Sequence, residues 1–198
     1  MPWSSSAFTS AAVARSQISS EPIDFSGRVD QGAGALCQQR VGHLAAERFG
    51  FVGRSGERGF QLRAATRIEH AAGHCQSREQ FKSVLDDESH GVFQGKIIVS
   101  PGAQKTDGKQ MAQALLLSET AEFDSKPELE IFADDVVCGH GSTSGQIDDE
   151  LLFYLEARGI PEAEARALLI QAFVGEAVDR IEHEGLRDAL GRATANWL

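Results

Sequence analysis

No stretch of this chain approaches the ~20 consecutive apolar residues that a bilayer-spanning helix needs. Apolar clusters such as 114–117 and 167–170 are only four residues long, and no apolar run exceeds five. There are only three cysteines, Cys37, Cys75 and Cys138, widely separated and without a CxxC pair, so neither a disulfide scaffold nor a zinc knuckle is expected. A reducing cytoplasm is the expected location. Positive charge is also scarce: 19 Lys and Arg face 29 Asp and Glu, and a formal charge of −10 would repel nucleic acid. There is no Walker-type phosphate loop and no Gly-x-Ser-x-Gly elbow, so nothing points to ATP binding by that route or to a serine hydrolase.

With 198 residues and 41% apolar content, there is material for one ordinary domain with a core. The text changes character near residue 65. Up to Thr66 there are seven arginines, no lysine and five acids, a net charge of +2, which leaves −12 for the remainder. A Gly/Ser/Arg-rich passage at 53–59 marks the boundary. The first 20 residues, with eight Ser/Thr and one Arg, weakly resemble a transit peptide but contain no apolar run for a secretory signal.

Short strands follow. Residues 91–99 are rich in β-branched and aromatic side chains and end at Pro101-Gly102; further strands are expected at 110–118, 121–123, 128–132 and 136–138. Centres at Ile97, Leu116 and Val136 recur about every 20 residues, with turn residues rather than crossover helices between them. That pattern suits a parallel β-helix with one coil per period or an antiparallel sandwich. Candidate core positions are Ile97, Val99, Leu115, Leu117, Leu129, Ile131 and Val136.

Two helices are expected to close the chain. Asp148 can cap the first, over 149–158, with Ile147 and Leu152 as a hydrophobic staple and Gly159 as its stop. Pro161 opens the second, whose apolar face would comprise Ala165, Leu168, Leu169, Ala172, Phe173, Val178 and Ile181. Beyond Gly185 the chain is expected to fray.

Three places carry candidate chemistry. The densest is Val137-Cys138-Gly139-His140-Gly141-Ser142-Thr143-Ser144-Gly145. On an extended backbone Cys138 and His140 point the same way, because side chains repeat every second residue. A thiol and an imidazole suit zinc, copper or iron–sulfur chemistry, yet two donors make only half a site. Earlier, His70, His74 and Cys75 would share a face if helical, but Gly73 and a strand-like lead-in favour a turn with histidines bonded to the backbone. Lastly, Asp134 and Asp135 look like a carbohydrate-active carboxylate pair, although neighbours on a strand face opposite ways.

Taken in order, Gln104-Lys105-Thr106-Asp107-Gly108, the passage 126–145 and Phe153-Tyr154-Leu155-Glu156-Ala157-Arg158-Gly159-Ile160 resemble the SufB/SufD family of iron–sulfur cluster assembly proteins, in its SufD branch. The resemblance covers roughly 66–184. It implies a mainly β fold, a partial right-handed parallel β-helix over 66–146 followed by a two-helix region over 147–190, with 1–65 standing outside the family pattern. Disorder and a shifted reading frame both remain open for that first segment.

The resemblance further implies a non-catalytic scaffold that pairs with a SufB-like subunit as a heterodimer and docks a SufC-like ATPase through its C-terminal helices. An iron–sulfur cluster would be held transiently and shared with the partner. His140 matches the family's interface histidine and is the metal-site candidate, with Cys138 a weaker one. The alternatives are a truncated remnant without function and, further off, a β-helix carbohydrate-active enzyme.

Overall fold

The computed structural model describes residues 61–179, 181 and 184–195, with short strand segments at 8–10, 23–24, 46–48 and 52–53. Most of the 1–65 segment therefore lies outside the described residues. Four short strands come first, β1 (Phe8–Ser10), β2 (Ile23–Asp24), β3 (Ala46–Arg48) and β4 (Val52–Gly53). Longer ones follow: β5 (Gln61–His70), β6 (Gln76–Leu85), β7 (His90–Val99), β8 (Asp107–Leu116), β9 (Glu122–Ile131) and β10 (Val137–Gly145). The fold is mainly β, and the strand pairs among the described residues are parallel, which removes the antiparallel sandwich.

From β4 on, successive strands alternate between two sheets, ordered β2-β5-β7-β9 and β10-β8-β6-β4, while β1 and β3 pair with each other. Within a sheet, Gln61 lies opposite His90, His90 opposite Glu122, Gln76 opposite Asp107 and Asp107 opposite Val137. The repeat is thus about 30 residues with two strands in each, not the 20-residue, one-strand period expected. Leu116 misled that count because it belongs to the other sheet from Ile97. The separate short strands expected at 121–123 and 128–132 are parts of one continuous strand, β9. It runs through Pro127, and a proline is tolerated there because β9 is an edge strand.

Inner faces carry the core. Ile97 and Val99 pack with Ala103 and Ala133, joined by Leu129 and Val136, while Leu85 packs with Ala114 and Ala121. Phe81 and Phe93 stack across the interior at 4.4 Å. Ile131, an expected core position, is 41% exposed, since β9 is the last strand of its sheet and no further coil of the described chain covers it. Leu115 and Leu117 are covered from the opposite side to that expected. They meet Ile170, Val174 and Phe173 on the outer face of the β6–β8 sheet.

Among the described residues α1 (Asp149–Glu156), α2 (Glu162–Val178) and α3 (Glu184–Ala195) follow the strands, and α2 provides that cover. Asp148 caps α1 as expected, accepting from the Glu150 and Leu151 backbone N–H groups, and Gly159 ends it at φ +85°. Pro161 sits one residue earlier than expected, at the N-cap of α2. The buried stripe of α2 runs through Ala165, Ile170, Val174 and Ala177, whereas Leu168 and Ala172 of the expected face are exposed. The chain does not fray at Gly185, because α3 continues with Leu190 against Ala177 and Ile181.

Below α2 the sheet's outer face is buried as well as its inner one. Lys82, only 3% exposed, pairs with Glu176 and lies 4.2 Å over the Phe173 ring, and Gln80 Nε2 donates to Glu176 Oε1 at 3.4 Å. A buried ammonium is tolerated when it is paired in this way. Strand-to-strand turns are stacked too: His74 donates its backbone N–H to Gln104 O at 2.8 Å and Lys105 to Asp135 O at 2.6 Å. His74 and Lys105 are both left-handed there, at φ 60° and 63°.

This left-handed turn yields a stability prediction. Lys105→Val, which forces a β-branched side chain into that backbone, should lower stability by about 1–2 kcal/mol more than Lys105→Gly does. Urea midpoints at unchanged slope would measure it.

Candidate functional site

The Gly/Ser-rich passage is a strand, so β10 puts Cys138 and His140 on one face as the alternation requires. Cys138 turns inward and is half-buried against the Ile97–Val99 cluster. A Cβ added to Gly108 would stand 3.5 Å from each of Cys138 Sγ, His70 Nε2 and Ser77 Oγ, so the glycine leaves room for those three groups to converge. His140, two residues further on, is exposed. It lies on an edge strand with no described strand beyond it.

In register behind His140 come Gln110 of β8 and Glu79 of β6. Both are almost fully buried, and Gln110 Nε2 donates to Glu79 Oε2 at 2.7 Å. The Gln110 carboxamide fills the space a Gly95 side chain would occupy, with Oε1 only 2.3 Å from where that Cβ would be. On the outer face of the same sheet lies a groove of about 560 Å3 lined in part by Met111, Gly139, Gly141, Gln80 and Glu176. Nearby, the Arg78 guanidinium donates a hydrogen bond to the Asp107 carboxylate and holds it below the usual carboxylate range, against the opposing effect of burial.

The other two candidate sites do not assemble. His70 is buried at the end of β5 with its ring 3.0 Å from Ser77 Oγ, so its partner is a side-chain hydroxyl and not the expected backbone group. His74 is exposed in the following turn. Asp135 pairs with Lys105, and its backbone N–H donates to Gln104 Oε1 at 2.9 Å, so it serves the turn rather than a carboxylate pair. Among the described residues no group of three or more His, Cys, Asp and Glu could hold a metal ion. Any cluster at His140 would need donors from elsewhere.

Glu79 and Gln110 were not singled out from sequence. Their signal was available: a carboxylate, an amide and an imidazole recur at 79, 110 and 140, which is the true coil period.

Residues 54–173 match the family model described as SUF system FeS cluster assembly, SufBD core domain. The chain belongs to the SufB/SufD family. It is 46% identical over 122 residues to the iron–sulfur cluster assembly protein SufD of Escherichia coli, a match covering 62% of this chain and 29% of that protein. A SufBD family protein of Synechocystis is 40% identical over 117 residues, covering 59% of this chain and 26% of the relative. One from Mycobacterium bovis is 36% identical over 148 residues, covering 71% and 37%. The chain therefore spans well under half the length of these relatives. The match starts twelve residues before Thr66, taking in part of the Arg-rich passage.

His70 gives the site a pH signature. Burial lowers its pKa below the ordinary 6.5, so the native state resists protonation that the unfolded chain accepts. Its contribution is complete above pH 6.5 and is lost as pH falls toward the folded value. The urea midpoint of the chain should drop from pH 7.5 to pH 5, and His70→Gln should reduce that drop. An equal drop in both proteins would remove His70 as a cause.

Proposed function

We propose that this SufD-like chain is a non-catalytic scaffold component of the SUF complex, helping to build iron–sulfur clusters that are passed on as cargo. The observation that carries the reading is the placement of His140, an exposed imidazole on the edge strand of a family member whose described residues offer no complete donor set. A transient cluster would take this nitrogen together with ligands from a SufB-like partner, and the rigid strand would hold it in place. Cys138, half-buried and turned inward, fits a structural thiol better than a second donor.

We take the alternating parallel sheets as part of a right-handed β-helix whose terminal coil forms the heterodimer contact. Its rim carries exposed apolar side chains, Ile131, Phe132 and Val137. Leu151, Phe153 and Tyr154 of α1 are likewise exposed, with Phe153 at 71%, and supply an apolar face for the SufC-like ATPase. Among the described residues no helix is long and apolar enough to cross a membrane.

Co-purification with the SufB- and SufC-type proteins of the same organism, read out by iron and acid-labile sulfide, tests the reading. The chain should come down with both proteins. His140→Ala should cut iron and sulfide several-fold while leaving the pairing intact. Unchanged iron in the variant would remove the ligand role, and capture of neither partner would favour a remnant without function.

A further inference from the structure

The column behind His140 ends in an unused acceptor. Gln110, 2% exposed, spends its Nε2 on Glu79, and its Oε1 is buried without a hydrogen-bond partner. Leaving a buried carbonyl oxygen unpaired is costly, about 1–3 kcal/mol, so such a group calls for an explanation. The carboxamide has little freedom to turn away, because it lies directly on the Gly95 backbone and its nitrogen donates to a Glu79 carboxyl oxygen. The next in-register inner position, one strand spacing of about 4.8 Å away, is His140.

We infer that Gln110, held by Glu79, is the positioning residue of the His140 site: its Oε1 accepts the N–H of the imidazole and leaves the other ring nitrogen free to bind metal. A ligating histidine needs its second nitrogen protonated and directed, and a polarised acceptor behind it supplies both. Glu79 contributes by orienting the amide so that oxygen, not nitrogen, faces the histidine. Gly95 contributes by leaving the space in which the amide lies. The inference rests on the cluster-site reading of His140, but its first readout does not.

That readout is the tautomer of His140, followed in the full chain by 15N NMR of labelled histidine rings, with exposed His74 as internal reference. The wild-type His140 ring should show one dominant tautomer. Gln110→Met should move its signals to the averaged position of a water-exposed ring, whereas Glu79→Gln, which keeps an oxygen for Gln110 Nε2, should retain the single tautomer.

Because Gln110→Met leaves Glu79 buried without this donor, the double variant Glu79→Leu/Gln110→Met removes both partners and keeps the test open if the single variant does not fold. Identical His140 signals in wild type and in the folded variant would overturn the inference. In the complex, Gln110→Met and the double variant should weaken iron binding about tenfold or more, and Glu79→Gln should not. Full iron retention in His140→Ala would overturn the ligand reading instead, while a tautomer change on removing Gln110 would still establish the hydrogen bond.

Discussion

In-register parallel stacking governs this molecule. From β6 onward each strand lies against the strand two before it in the chain, so a residue in one coil meets its counterpart about 30 positions earlier. Side chains are thereby sorted into columns, and a column is only as stable as its members are compatible. Most inner columns are apolar, such as Ile97 with Leu129, or Leu85 with Leu116. The column through Glu79 and Gln110 is polar, and the cost of burying those groups is offset by the hydrogen bond between them.

The two sheets answer differently to solvent. On the β6–β8 sheet, α2 buries the outer face with Ile170 and Val174, each fully buried aliphatic side chain contributing about 1.5–3 kcal/mol. The β7–β9 sheet keeps an open outer face, where Lys96–Glu130 and His90–Asp124 pair across strands and Lys126–Glu128 along one. Such exposed pairs contribute only about 0–1 kcal/mol. They serve more to keep a long parallel sheet wet on one side, and they explain why β9 reads in sequence as charged turn text.

Local signals were legible and long-range ones were not. The Asp148 cap, the Gly159 stop and the common face of Cys138 and His140 follow from rules spanning four residues or fewer, and the structure has them. The coil length depends on which strands pair, and no local rule says that Ile97 and Leu116 lie in different sheets. The same blindness placed Leu115 inside the coil instead of beneath α2, because a sheet buried on both faces loses the alternation that tells in from out. Glu79 carries no local sign of burial, and only the strand pairing puts it behind Gln110.

The end of a column is where such a structure can offer chemistry. Along the stack every backbone edge and inner side chain is used by the next coil, and β10 is where that use stops among the described residues. A side chain there has packing behind it and open space ahead, so it is rigid and reachable together. Cys138 and His140 share this strand face but not this condition: the thiol is opposite the His70–Ser77 pair and the apolar cluster, while the imidazole stands at the rim. The layer that ends in a buried hydrogen-bonded pair thus presents the donor, and the layer that ends in apolar contacts presents none.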